Sequence, residues 1–166
     1  VAHTITSVNL WLARTAGSDP GTLTVSIRAV DGTGIPTGGD LTSGTIAGTS
    51  LPTSTPAEAP ITVTTYPLSA NTKYAIVIRA PSATAGIPVM WGVDSTSATY
   101  ANGNSVTSSD SGATWSAYAT YDFLFAVYGN AVISANLSDS LTQSDSVGRK
   151  LVGARSNADV GSVTDV

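Results

Sequence analysis

The chain has 166 residues, 42% of them hydrophobic, enough for one domain with a buried core. Charged residues make up 11%, against roughly 25% in an average soluble protein, and Ser, Thr, Gly and Ala fill the difference. A net charge of −4 leaves no basic footprint for nucleic acid, and the lack of cysteine excludes disulfides, thiol catalysis and thiolate metal sites.

In chain order, the first strand signal runs from Ile5 to Ala13, with Val8, Leu10 and Leu12 on one face. It begins almost at Val1, so further residues are expected upstream. Leu23 to Val30 alternates Leu23, Val25, Ile27 and Ala29 with Thr24, Ser26 and Arg28. Asp31-Gly32-Thr33-Gly34 and Thr37-Gly38-Gly39-Asp40 carry the Gly and Asx chemistry of turns. Gly44 to Thr49 and Ile61 to Tyr66 are weaker strands, separated by a Pro/Ser/Thr-rich stretch, Leu51 to Pro60, that predicts an exposed crossover loop. Lys73 to Ala80 turns Tyr74, Ile76, Ile78 and Ala80 inward. Val89 to Val93, Ala98 to Ala101 and Thr114 to Tyr118 are short candidates. Tyr121 to Tyr128 alternates Tyr121, Phe123, Phe125 and Val127 with Asp122, Leu124, Ala126 and Tyr128. Period-two alternation marks half-buried strands. No segment of ten or more residues has helical periodicity, and no apolar run approaches the ~18 residues of a membrane helix. The fold class is all-β. The simplest architecture is a two-sheet antiparallel, jelly-roll-like sandwich over residues 1–129.

Residues 130–166 have a different character. From Ala131 onward there is no aromatic residue and no proline, and Ser138-Asp139-Ser140-Leu141 is echoed by Ser144-Asp145-Ser146-Val147. Between Ile133 and Val152, six of the ten odd positions are apolar against one of the ten even ones. That is the phase of an extended strand, and Ser and Asp are weak helix formers. At about 3.3 Å per residue the stretch spans roughly 60 Å, whereas a sandwich strand covers roughly 17–20 Å. One body cannot pair with all of it. The segment is therefore expected to bridge subunits by strand addition, burying Ile133, Leu137, Leu141, Val147 and Leu151. The alternative for such a tail is a free Ser/Asp linker.

Catalytic chemistry is scarce. His3 is the only histidine and Glu58 the only glutamate. A Ser-His-Asp arrangement would depend on His3, and a carboxylate pair would need two of Asp94, Asp110 and Asp122 in one cleft. Metal-ligand spacings are missing. The chain is expected to be no enzyme and to hold no cofactor or metal. Trp11 and Trp91 are the leading candidates for a sugar-binding platform, beside Trp115, Tyr100 and Tyr118; a packing role for each Trp is the ordinary expectation. Asn136-Leu137-Ser138 is the one N-x-S/T sequon, which makes Asn136 a candidate glycosylation site.

Ser108-Ser109-Asp110-Ser111-Gly112-Ala113-Thr114-Trp115 matches S-x-D-x-G-x-T-W and resembles the Asp box of sialidase-type propellers and other secreted β-proteins. In that family the motif is structural. The resemblance implies that Asp110 caps the turn, that Gly112 takes the positive-φ position and that Trp115 buries under the hairpin, with Ser108 and Thr114 the other positions of this structural turn motif. Propellers repeat the motif and this chain has it once, so no sialidase activity is implied.

A wider resemblance rests on Ile5-Thr6-Ser7-Val8-Asn9-Leu10-Trp11-Leu12-Ala13-Arg14, Leu23-Thr24-Val25-Ser26-Ile27-Arg28-Ala29, Gly34-Ile35-Pro36-Thr37-Gly38, Leu68-Ser69-Ala70-Asn71-Thr72-Lys73-Tyr74-Ala75-Ile76-Val77-Ile78-Arg79 and Tyr121-Asp122-Phe123-Leu124-Phe125-Ala126-Val127-Tyr128-Gly129. These resemble the jelly-roll modules of exported bacterial surface proteins and phage structural proteins, and the tail resembles the Ser-Asp-Ser-Leu/Val repeats that follow such modules. The resemblance implies an extracellular, cell-surface or phage-particle location. It also implies a structural subunit whose partners are copies of itself in a helical or linear homopolymer. The alternative is a carbohydrate-binding module of a larger exported protein or phage fibre, with glycans as partners.

Overall fold

The computed structural model describes residues 2–96, 100, 103–118 and 120–131. The chain divides into two units, Val1–Ile133 and Ser134–Val166, and the architecture below is that of the first. Ile133, Asn136, Leu137, Leu141, Val147 and Leu151 lie outside the described residues, as does most of the Ala98–Ala101 strand candidate.

The protein is all-β. Its strands are β1 (His3–Arg14), β2 (Thr22–Val30), β3 (Pro36–Ala47), β4 (Ala57–Leu68), β5 (Tyr74–Arg79), β6 (Val89–Trp91), β7 (Val93–Asp94), β8 (Ser105–Thr107), β9 (Ser116–Tyr118), β10 (Asp122–Phe123) and β11 (Phe125–Ala131). One 3-10 turn, Gly48–Ser50, precedes the crossover to β4. Every pairing between these strands is antiparallel. The first sheet runs β11-β1-β4, with β6 pairing the far end of β1; the second runs β3-β2-β5. Two small ribbons, β10-β7 and β8-β9, complete the described strands.

β1 shows why the sequence gives this architecture. Val8, Leu10 and Leu12 alternate onto one face and are fully buried. Ile5 is out of step with them by one residue, yet it is also fully buried. The register shifts between Ile5 and Ser7 against both β11 and β4; against β11 Thr6 is the extra residue and resets the phase as a β-bulge does, whereas against β4 the surplus, 63–65, lies in β4. From the second sheet, Leu23, Val25 and Ile27 of β2 meet these side chains, and Ala59, Ile61, Val63 and Leu68 of β4 join them in a single core cluster. Each large aliphatic contributes about 1.5–3 kcal/mol when fully buried.

The sheets are closed on one side. There β3 and β4 touch backbone to backbone. A Cβ at Gly44 would run into the Thr62 carbonyl, and the Thr42 hydroxyl donates to the Thr64 carbonyl. On the outer face of the second sheet, Asp40 accepts from Arg28 Nε at 2.7 Å and from both terminal nitrogens of Arg79. The Arg79 guanidinium, with smaller help from Arg28 and Ser26, holds the Asp40 carboxyl well below the usual carboxylate range. This cluster ties β2, β3 and β5 together across their solvent face.

Two loops expected from the sequence are corrected. Leu51 to Pro60 is no exposed crossover throughout: Leu51 and Ala59 are buried and β4 begins at Ala57. Arg14 anchors the segment, its Nε donating to Leu51 O (3.2 Å) and its Nη1 to Ser18 O (2.7 Å). Pro60 fits in β4 because β4 is an edge strand, where a missing N–H interrupts no ladder. Thr37-Gly38-Gly39-Asp40 is an irregularity inside β3. The register against β2 jumps on both sides of the Arg28–Asp40 pair, and Gly38 takes φ +68°.

The two residues Leu10 and Phe125 stand opposite each other in the β1–β11 register, but Leu10 is fully buried and Phe125 is 36% exposed. Leu10→Ala should therefore cost about 2–5 kcal/mol of unfolding free energy, measured by urea titration. Phe125→Ala should cost less than half as much. Equal losses would mean that the β11 side of the core is covered.

Candidate functional site

The inward alternation of β11 sets the geometry of the open side. Directly opposed residues of an antiparallel pair project to the same face. Phe125 opposes Leu10 and Val127 opposes Val8, so both β11 side chains belong to the core face. Both remain more than a third exposed, at 36% and 37%. Across from them Ile76 opposes Ile27 and Tyr74 opposes Ala29 in the β2–β5 register, and both are only partly buried. Between these surfaces lies a cleft of about 740 Å³, lined by Ile5, Ile27, Tyr74, Ile76, Phe125 and Val127. Polar residues also line it, among them His3, Asn71, Lys73, Asn104 and Asp122, and Ser105 and Val106 of β8 form part of its wall. Among the described residues β5 pairs with β2 alone and β11 with β1 alone. Each therefore carries one edge without a strand partner there.

At one end of the cleft the aromatic side chains form a connected run. Trp91 stacks on Phe123 with ring centroids 4.4 Å apart, Phe123 meets Tyr121 edge-on at 5.9 Å, and Tyr121 stacks on Tyr118 at 5.5 Å. Tyr100 sits edge-on to Phe125 at 5.4 Å. Tyr100 and Tyr118 are 51% and 41% exposed. Trp91 Nε1 donates to Leu124 O at 2.8 Å, which fixes the indole by its one donor. Trp91 also opposes Leu12 and so points to the core face, whereas Trp11, one residue before Leu12, points to the other. Trp11 and Trp91 do not share one platform.

The carboxylates sit as follows. Asp94 and Asp122 oppose each other across β7 and β10 and line a cavity of about 330 Å³ with Tyr100 and Phe125. Each holds a backbone N–H: Asp94 accepts from Thr96 N (3.1 Å), and Asp122 accepts from Tyr100 N (2.8 Å). Glu58 accepts from the Asn9 amide on the outer face of the first sheet. His3 lines the cleft, and no aspartate or serine is placed with it as a triad by the contacts described. Among the described residues no group of three His, Cys, Asp or Glu is arranged to hold a metal ion, and no helix is long and apolar enough to cross a membrane.

The turn between β8 and β9 is built by the Asp110 side chain. Asp110 Oδ1 accepts from Thr114 N (2.8 Å) and from the Ser108 hydroxyl (2.7 Å), and Oδ2 accepts from the Thr114 hydroxyl (2.5 Å). Gly112 N donates to Ser108 Oγ at 2.7 Å. Gly112 adopts φ +90°, Ser111 adopts φ +62°, and the half-buried Trp115 ring lies beside Gly112. These bonds, the Thr114 hydroxyl first, lower the Asp110 carboxyl to about 2. The turn contributes shape and offers no acid or base for chemistry near neutrality.

The alternation turned Tyr74 and Ile76 inward and put Phe125 and Val127 on one face of their strand, but it marked none of them as a cleft residue. Alternation tells which face a side chain joins. It does not tell whether a facing strand covers it. Comparison of the chain with family models, curated proteins and solved structures gives no match.

The Asp110 turn is checked by carboxyl NMR titration. Asp110 should titrate near pH 2, and Thr114→Val, which removes the strongest of its hydrogen bonds, should move it up toward the ordinary value of about 3.9. An Asp110 that titrates there already in the unsubstituted protein would contradict the described turn.

Proposed function

We propose that this chain is a non-enzymatic structural subunit of an extracellular filament, or of a cell-surface or phage appendage. It assembles with copies of itself through strand-like insertion of the segment 133–152 between subunits. The observation that carries this reading is the apolar cleft between two strands that each have a free edge among the described residues. Such edges and faces are normally shielded in proteins that remain monomeric. The near-neutral surface, with charged residues at 11%, lets copies approach without strong repulsion. The resemblance to jelly-roll surface and phage modules supports the same reading, as does the scarcity of catalytic groups. Asn136 falls in the even phase of the segment, so a glycan there would point away from a buried contact.

The test is removal of 136–166. The full chain should form polymers visible by negative-stain microscopy, and the shortened chain should remain monomeric with an unchanged β-sheet circular dichroism spectrum. Polymers that persist unchanged after the deletion would sink the proposal.

A second reading, a carbohydrate-binding module, is favoured by one observation: Tyr100 and Tyr118 leave ring surface exposed beside the aromatic run. Exposed rings of this kind bind the apolar faces of sugars. On a glycan array, this reading expects strong binding by the full chain that is lost in Tyr118→Ala at unchanged thermal stability. An array without signal removes it.

A further inference from the structure

We propose that the cleft between β5 and β11 is the acceptor site for part of residues 133–152 of a second copy, which enters as an extended strand with its odd-numbered side chains turned onto Phe125, Val127 and Ile76. The proposal rests on the self-assembly reading above and adds what that reading lacks, the place where the segment binds.

The two sides of the body differ in a way that calls for a missing strand. At β3 and β4 the sheets meet through direct backbone contact. At β5 and β11 they part, and the space between them measures about 740 Å³. Its floor continues the buried core: Ile5 and Ile27 line it and are themselves 0% and 2% exposed. Along the floor Phe123, Phe125 and Val127 recur at every second residue. A strand laid there would match that period, and it would find backbone donors and acceptors on the edge of β5 or of β11 that has no strand partner among the described residues.

The occupant is named by the sequence beyond β11. After Ala131 the chain continues to Val166, and its apolar residues keep to the odd phase from Ile133 to Leu151. Asp139 and Asp145 share that phase, and Lys73 lines the cleft, so an acidic residue beside it has an opposite charge to meet. Length gives the segment reach beyond a single strand site, so that part of it can lie in the cleft of one copy while the rest spans to the next. The segment is roughly 60 Å long when extended, whereas β5 has 6 residues and β11 has 7. A contact in which the tail of one subunit enters the cleft of the next is heterologous, and repetition without closure makes a fibre.

The absence of cysteine makes the test clean. Chains with Val127→Cys and chains with one of Leu137→Cys, Leu141→Cys or Val147→Cys carry different tags and are co-assembled at full length under mild oxidation. A disulfide between differently tagged chains is expected for at least one odd-phase position. Its even-phase neighbours, Ser138→Cys, Ser140→Cys and Ser146→Cys, should yield at least about fivefold less, because a one-residue step turns the side chain to the opposite face. Equal yields in the two phases overturn the proposal. So does cross-linking confined to a single chain when both cysteines are placed in it, which would mean that the cleft takes its own tail. Polymers that form with no cross-link from Val127→Cys overturn the acceptor assignment and leave self-assembly standing. A full-length chain that forms no polymer overturns both.

Discussion

β1 shares backbone hydrogen bonds with β4 along one side and with β11 and then β6 along the other, and it keeps Ile5, Val8, Leu10 and Leu12 on one face because Thr6 is bulged out. A one-residue slip would turn Val8, Leu10 and Leu12 to solvent and put Ser7, Asn9 and Trp11 in the core. Every other feature is referred to this register. It sets Phe125 and Val127 beside Leu10 and Val8, sets Trp91 beside Leu12, and sends Trp11 to the opposite face. It also brings Leu124 and Gly92 to the gap between β11 and β6, where Gly92 N donates to Trp11 O at 2.7 Å and Leu124 N donates to Gly92 O at 2.9 Å.

Much of this was legible in the sequence, and the parts that were not have physical causes. The alternation in β1, β2, β5 and β11 follows directly from burial on one face. The bulge at Thr6 leaves no mark, because a threonine is as much at home in a regular strand as in a bulge. β4 was hidden at its start by Pro56 and Pro60, whose weight as strand breakers falls at a sheet edge. The Gly38-Gly39 step reads as a turn because glycine serves both a turn and an irregular strand. The Ser108–Trp115 turn is a local matter of hydrogen bonds between residues two to four apart, so its chemistry is contained in its spelling. The cleft is the opposite case. It is a property of strand order, of which β5 and β11 are the outer members, and no residue within either strand encodes it.

The contrast between the two sides of this all-β body bears on how it is specified. The closed side depends on the absence of a side chain at Gly44, which lets two backbones touch. The open side carries large side chains, Phe125, Val127, Tyr74 and Ile76, that line the cleft and stay partly exposed. Both sides are built from ordinary strand sequence. What separates them is whether the neighbouring sheet extends far enough to cover the face, and this makes the open side the part of the body with most to gain from an additional strand.

His3 and Ala131 stand opposite each other at the end of the β1–β11 pair. The hydrogen bonds of an antiparallel ladder run perpendicular to the strands. A pulling force applied between His3 and Ala131 would therefore act along those bonds and load them one after another from that end. Force carried this way peels β11 from β1 at low tension, whereas force directed along the strands must break many bonds together. The adjacency of these two residues thus makes β11 the strand that such a load would reach first.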